Sequence, residues 1–107
     1  MAEVRLVDLK DAPEEGTAKL IAFEHPVTYM DYEVALFQVN GKFYSLLNEC
    51  KRCCGYLGEG KLEGMYVICP RDDTPWNVRT GLCKFDKSQS TSSYKVQTKD
   101  DGLVIII

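Results

Sequence analysis

The sequence predicts an all-β fold, an antiparallel barrel or sandwich. Short segments that alternate apolar and polar residues, and that are rich in β-branched and aromatic side chains, recur along its 107 residues. A sustained apolar period of about 3.6 residues, typical of amphipathic helices, is missing, and four prolines interrupt the candidate stretches. A chain of this length forms one compact domain around one core.

The predicted strands follow one another at short intervals: Val4–Val7, Ala18–Phe23, Glu33–Val39, Lys42–Leu46, Met65–Ile68, Trp76–Val78, Tyr94–Thr98 and Leu103–Ile107. Between the third and fourth of these, Asn40-Gly41 predicts a hairpin, because a type I′ turn needs positive φ at both central residues. The turn residues Asp100-Asp101-Gly102 predict a second hairpin at the end of the chain.

Composition narrows the class of function. The formal net charge of −3 disfavours nucleic acid and anionic membranes as partners and is compatible with a basic protein partner. No apolar run approaches the ~20 residues that span a bilayer, and none is of the signal-peptide type, so a cytoplasmic location is expected. Five cysteines in such a chain indicate metal or redox chemistry rather than a disulfide framework.

The cysteines are concentrated in one segment. Between Leu47 and Trp76 lie four of the five cysteines, four glycines and two prolines, around one short strand. This composition predicts an inserted loop subdomain at 47–76. The chain is then a single domain, 1–107, whose β domain consists of 1–46 and 77–107.

The spacing of the motifs in this segment resembles that of a known family. Cys50-Lys51-Arg52 is separated by sixteen residues from Cys69-Pro70-Arg71-Asp72, after which come Asp73, Trp76-Asn77 and Thr80-Gly81. Rieske proteins carry Cys-x-His, a gap of roughly sixteen or seventeen residues, and Cys-Pro-x-His-Gly, followed by an aromatic residue, Asp or Asn, and a Thr-Gly turn. The resemblance extends over Val39–Leu46 and Leu57–Gly64, and thus over nearly the whole chain. It implies the Rieske fold, a β barrel or sandwich with an inserted two-loop cluster-binding subdomain.

The resemblance also implies a [2Fe-2S] cluster, in which two cysteines hold one iron and two histidines hold the other. Cys50 and Cys69 match the cysteine ligand positions. The histidine ligand positions are occupied by Arg52 and Asp72, and arginine is a poor ligand because its guanidinium stays protonated. The only histidine of the chain, His25, lies outside both loops. A standard Rieske ligand set is therefore not expected.

One interpretation of the substituted positions is a domain without a cofactor. Arg52 and Asp72 would then form an ion pair in the place of the histidine-bound iron. Cys50 and Cys69 would lie close enough to be a thiol pair or a disulfide.

Two other interpretations keep a chemical role for the additional cysteines. An altered iron or zinc site could draw its ligands from Cys50, Cys53, Cys54, Cys69 and Asp72, since Cys50-Lys51-Arg52-Cys53 has the spacing of a Cys-x2-Cys knuckle. Alternatively, Cys53-Cys54 beside two basic residues is a reactive thiol, although no histidine is available as its base. Cys83 is predicted to be structural, and Trp76 to belong to the core.

The resemblance implies an accessory component rather than a stand-alone catalyst. In one class of function, the chain is a ferredoxin-like component that passes electrons to an oxygenase or reductase. In the other, it resembles the small subunit of cytoplasmic nitrite reductase, a Rieske-fold protein without a cluster, and is an interaction module that docks on a larger redox enzyme. The histidine positions discriminate between these classes.

Overall fold

The computed structural model describes residues 3–50 and 55–107, which form three antiparallel sheets. The first sheet consists of β1 (Glu3–Asp8), β10 (Gly102–Ile106) and β9 (Val96–Lys99), in that order. The second consists of β2 (Ala18–Glu24), β3 (Asp31–Val39), β4 (Lys42–Leu47) and β8 (Ser93–Tyr94), and the third of β5 (Lys61–Glu63), β6 (Tyr66–Ile68) and β7 (Pro75–Asn77). Single 3-10 turns occur at Leu9–Asp11 and Leu57–Glu59. The all-β prediction is confirmed.

The central strand, β3, is buried on both faces. Val34, Ala35, Leu36 and Phe37 are fully buried, and β2 and β4 flank the strand along its length. Successive side chains of a strand point to opposite faces, so one continuous apolar run supplies two hydrophobic cores. Ala35 and Phe37 pack in one core, whereas Val34 and Leu36 pack in the other.

Both predicted hairpins are present. Asn40 and Gly41 have φ values of 55° and 76°, as a type I′ turn requires. The carboxylate of Glu15 accepts both of their backbone N–H groups at 2.7 Å. At the end of the chain, Asp100 and Asp101 have φ values of 51° and 59° in the turn that joins β9 to β10.

One predicted strand was wrong in detail, and one short strand was missed. The segment Tyr94–Thr98 was predicted as one strand, but it is divided at Lys95: β8 pairs with β4, and β9 pairs with β10. The chain passes from one sheet to another at this residue. The short strand β5 was not predicted, because two of its three residues are charged and exposed and give no apolar pattern.

The third sheet carries the second cysteine loop and shares a core with the second sheet, from which the first cysteine loop leaves after β4. Cys50, Val67, Cys69 and Trp76 belong to the same hydrophobic core as Phe37. The segment predicted as a loop subdomain, 47–76, thus shares its core with β3; its assignment as a subdomain stays a prediction. In the part of the chain that the structure describes, no helix is long and apolar enough to cross a membrane.

The turn after β7 yields a stability prediction. Gly81 has a φ of 78°, and a Cβ added there would lie 2.1 Å from the carbonyl oxygen of Thr91. We expect Gly81→Ala to lower the free energy of unfolding by about 2–5 kcal/mol, from left-handed strain plus the displacement of backbone. Chemical denaturation followed by circular dichroism measures the change.

Gly64 provides the matched control. Its φ is 59°, but an added Cβ has no neighbour within 4 Å. Gly64→Ala is therefore expected to lower the free energy of unfolding only by the cost of the left-handed conformation, about 1–2 kcal/mol. Equal effects of the two substitutions would show that the contact with Thr91 does not matter.

Candidate metal centre in the two cysteine loops

The first loop leaves the end of β4 and is anchored to β3 by Asn48. The buried Asn48 side chain accepts the N–H of Gly58 at 2.6 Å through Oδ1 and donates to the Glu33 carboxylate at 3.2 Å. The N–H of Cys50 donates to the carbonyl of Gly55 at 2.9 Å. These hydrogen bonds fix the backbone on both sides of the segment 51–54.

The second loop is a tight turn between β6 and β7. The N–H of Cys69 donates to the Thr74 carbonyl, and the N–H of Asp73 donates to the Cys69 carbonyl, both at 2.9 Å. The Asp72 carboxylate accepts the N–H of Thr74 at 3.0 Å, which fixes the orientation of that side chain. Asp73 has a φ of 60°, so the position that is glycine in the Rieske pattern is left-handed here. Aspartate tolerates this conformation better than most residues, which explains why it can replace the glycine.

The two loops bring three potential metal ligands together. Cys50 Sγ, Cys69 Sγ and a carboxylate oxygen of Asp72 all lie within 4.8 Å of one another. Both cysteines are fully buried, whereas Asp72 is exposed. Cys50 Sγ lies 3.7 Å from Oδ1 and 3.8 Å from Oδ2 of Asp72. Within 3–50 and 55–107, this is the one such group of histidine, cysteine, aspartate or glutamate residues.

Trp76 contacts the group from the interior. It is fully buried, as predicted for a core residue, and its indole Nε1–H donates to Cys50 Sγ at 3.3 Å. The sulfur of Cys50 thus accepts one hydrogen bond from the core, and its S–H is placed to donate to Asp72. The sequence analysis predicted the packing role of Trp76 but missed this polar contact, for which the spacing of the residues gives no signal.

His25 takes no part in the group. Its Nδ1 accepts the N–H groups of Val27 and Thr28, both at 3.1 Å, so it caps the turn between β2 and β3. Its ring packs against Tyr32, with the ring centroids 5.3 Å apart. Cys83 is fully buried and forms a β-bridge with Trp76, in agreement with a structural role.

Some predictions fall outside the described residues. The structure does not describe Arg52, Cys53 and Cys54. The Arg52–Asp72 ion pair, the Cys-x2-Cys knuckle and the reactive thiol therefore stay predictions. The structure has no disulfide between Cys50 and Cys69.

Comparison with known proteins identifies the family. No protein-family model matches the chain. The ferredoxin component of a naphthalene 1,2-dioxygenase system from Pseudomonas aeruginosa is 31% identical over 81 residues, which are 74% of this chain and 77% of that protein. The chain belongs to the Rieske-type ferredoxin family. The expectation of an accessory component rather than a stand-alone catalyst is confirmed by this relationship.

Solved structures agree with the Rieske fold. A chain in the complex of reduced oxygenase and oxidized ferredoxin of carbazole 1,9a-dioxygenase matches with a TM-score of 0.78 and 20% identity, over 96% of this chain and 91% of that chain. The putative small subunit of an NADH-dependent nitrite reductase from Mycobacterium tuberculosis matches with a TM-score of 0.79 and 14% identity. The match covers 97% of this chain and 93% of that chain. At these identities the matches establish the fold alone.

The donors that the structure brings together do not fit the cluster that the Rieske family implies. That cluster takes two histidines on its second iron, and the single histidine of this chain caps a turn far from both loops in the sequence. The second loop supplies a carboxylate instead, and it is directed at the sulfur of Cys50. Cys50 and Cys69 stand at the cysteine positions of the Rieske pattern, and Arg52 and Asp72 stand at its histidine positions.

The anchoring of the first loop can be tested with Asn48→Ala. The substitution leaves the N–H of Gly58, which lies in a buried position, without its acceptor. We expect a loss of about 1–3 kcal/mol in the free energy of unfolding, measured by chemical denaturation.

Asn77→Ala is the matched control, because Asn77 Oδ1 also accepts backbone N–H groups, those of Arg79 and Thr80, but at exposed positions. Water can replace that acceptor, so a loss of only about 0.5–1.5 kcal/mol is expected. A smaller loss for Asn48→Ala than for Asn77→Ala would contradict the anchoring role.

Proposed function

We propose that this chain is an accessory component that docks on a larger oxygenase or reductase of a redox enzyme system, and that its two loops do not hold a histidine-ligated [2Fe-2S] cluster. The first part rests on membership of the Rieske-type ferredoxin family. The second part rests on one observation, the position of the Asp72 carboxylate.

The Asp72 carboxylate lies at the position of the second histidine ligand and contacts Cys50 Sγ at 3.7 Å. In a Rieske centre the cysteines and the histidines bind different irons, so their donor atoms are separated by the cluster. A carboxylate against a cysteine sulfur leaves no such separation. A hydrogen bond from Thr74 to the same carboxylate holds it in this orientation.

A protein partner is proposed from the relatives. The ferredoxin matched among the known sequences is a component of a dioxygenase system, and one of the matched structures is a complex of oxygenase and ferredoxin. The net charge of −3 favours a partner with a basic docking surface, because complementary charge accelerates association.

Metal analysis of the wild-type protein tests the proposal. We expect protein that is purified without oxygen to hold far less than one iron and one acid-labile sulfide per chain, and to lack the electron paramagnetic resonance signal of a reduced Rieske centre. Stoichiometric iron and sulfide together with that signal would contradict the proposal.

Restoring the family ligands is the complementary experiment. The double substitution Arg52→His/Asp72→His supplies imidazoles at both histidine positions of the Rieske sequence pattern. We expect this variant to take up iron and sulfide on reconstitution and to acquire the Rieske signal, because the two imidazoles complete the coordination of the second iron.

The matched control is Arg52→Gln/Asp72→Asn, which removes the same two charges without supplying imidazole ligands and is expected to take up no cluster. If the double-histidine variant also stays without a cluster, the identity of the ligands is not what excludes it. The substitutions at positions 52 and 72 would then not account for the loss of the cluster.

Without a cluster, two candidate functions remain: an accessory component with an altered metal centre, and a docking module without a redox centre. One observation favours the docking module. The contacts of Cys50 support it: Trp76 donates to the sulfur, and Asp72 lies within reach of the S–H, so the loops are packed and hydrogen-bonded by protein atoms. The same metal analysis separates the two candidates. A bound metal ion other than a cluster supports an altered centre, and metal-free protein supports the docking module.

A further inference from the structure

The thiols of Cys50 and Cys69 form a group with the carboxylate of Asp72, and the cluster of the family does not explain this carboxylate. These three side chains come from two separate loops, yet their donor atoms all lie within 4.8 Å of one another. The two thiols are fully buried beneath an exposed carboxylate. The group therefore lies where the interior meets the solvent.

The distances are close to those that a single tetrahedral ion requires. Zinc binds thiolate sulfur at about 2.3 Å and carboxylate oxygen at about 2.1 Å, which sets a sulfur–oxygen edge of about 3.6 Å and a sulfur–sulfur edge of about 3.8 Å. Cys50 Sγ lies 3.7 and 3.8 Å from the two carboxylate oxygens of Asp72. The remaining separations among the three donors are at most 4.8 Å.

The same distances argue against a two-iron centre. Donors to different irons must be separated by the bridged cluster, whereas donors to one ion share the edges of one coordination polyhedron. Asp72 and Cys50 are placed as neighbours on such an edge. The group is thus suited to one ion and not to two.

Contacts around the three donors orient them as the surroundings of a metal site do. The indole N–H of Trp76 donates to Cys50 Sγ at 3.3 Å, and the N–H of Thr74 donates to Oδ1 of Asp72 at 3.0 Å. Hydrogen bonds of this kind fix ligand orientation and strengthen metal binding in characterised sites. Two thiolates and one carboxylate also reduce the cost of a divalent charge at a partly buried position.

We propose that Cys50, Cys69 and Asp72 bind one divalent ion of the zinc class in tetrahedral coordination, with the fourth position taken by water. Both thiols lose their protons to the solvent on binding, and the oxidation state of the ion is unchanged. Zinc binds more tightly than Fe²⁺ to a given donor set, which favours it over iron. This inference rests on the proposed function, in that it takes the loops to hold no Rieske cluster.

Zinc and cobalt serve as the probes. The wild-type protein, stripped of metal by a chelator and kept reduced, is titrated with Zn²⁺ and, separately, with Co²⁺. We expect one ion per chain, the intense visible bands of tetrahedral Co²⁺, a near-ultraviolet sulfur-to-cobalt charge-transfer band, and displacement of Co²⁺ by Zn²⁺. Trp76 is the only tryptophan and contacts Cys50, so its fluorescence is expected to change in step with binding.

Asp72→Asn and Asp73→Asn form the decisive pair. Both remove one exposed carboxylate from neighbouring positions of the same turn, and asparagine tolerates the left-handed conformation of Asp73. We expect Asp72→Asn to weaken Zn²⁺ binding about tenfold or more and to shift the Co²⁺ bands, and Asp73→Asn to leave both unchanged. Circular dichroism of each variant confirms that it is folded.

Cysteine variants provide the second arm. Cys50→Ser and Cys69→Ser are each expected to lower the charge-transfer band at least twofold, and the double variant to abolish it, whereas Cys83→Ser, at a buried cysteine outside the group, is expected to retain it. If the wild type binds neither ion, the inference is overturned. It is also overturned if Asp72→Asn binds Zn²⁺ as tightly as the wild type, because the ligands then lie elsewhere.

These failures are distinguishable from a failure of the proposed function. Protein that holds no Rieske cluster but also binds neither probe contradicts the zinc-class site and leaves the proposed function standing. Protein that holds iron and labile sulfide with a Rieske signal contradicts both.

Discussion

The burial of β3 on both faces is the constraint on which the rest of the structure depends. Phe37 points into the core that contains Cys50, Cys69 and Trp76, and Leu36 points into the core that contains Leu103 and Ile105. A shift of one residue in the pairing of β3 with β2 and β4 would exchange these faces and move both sets of side chains. Each large apolar side chain that is fully buried contributes roughly 1.5–3 kcal/mol, so the register is strongly specified. The position of the cysteine loops follows from it.

The loops themselves are organised by protein hydrogen bonds. Cys50 follows β4, and its N–H donates a hydrogen bond to the carbonyl of Gly55. Cys69 follows β6, and its N–H donates a hydrogen bond to the carbonyl of Thr74. Each cysteine thus lies just beyond a strand that belongs to the packed part of the molecule. The sulfurs approach each other because the sheets carrying them share a core. Any ion that binds there meets ligands that are already close together, which reduces the entropy lost on binding.

Replacement of the two histidines changes the character of the site as a whole. Neutral imidazoles are ligands for a second iron, whereas arginine is a permanent cation and aspartate an anion. The carboxylate of the exposed Asp72 contacts the sulfur of Cys50 and accepts the N–H of Thr74. The neighbouring glycine position has become Asp73 without loss of the left-handed turn. The fold of the family is therefore retained while the donors have changed.

The features that could be predicted are those that depend on neighbouring residues. The hairpin at Asn40-Gly41 follows from a local requirement for positive φ, and the family fold follows from the spacing of Cys50 and Cys69 and the residues around them. By contrast, the division of the chain at Lys95 depends on which strands lie on either side, and the short strand β5 is held by its pairing with β6 rather than by its own pattern.

The candidate site divides in the same way. The residue types at 50, 69 and 72, and the absence of histidine from both loops, are properties of the sequence alone. That the carboxylate of Asp72 and the indole of Trp76 both reach Cys50 Sγ was decided by tertiary structure, since these residues are 22 and 26 positions away from it along the chain. Contacts over such separations are set by the packing of the sheets, which no local pattern of residues encodes.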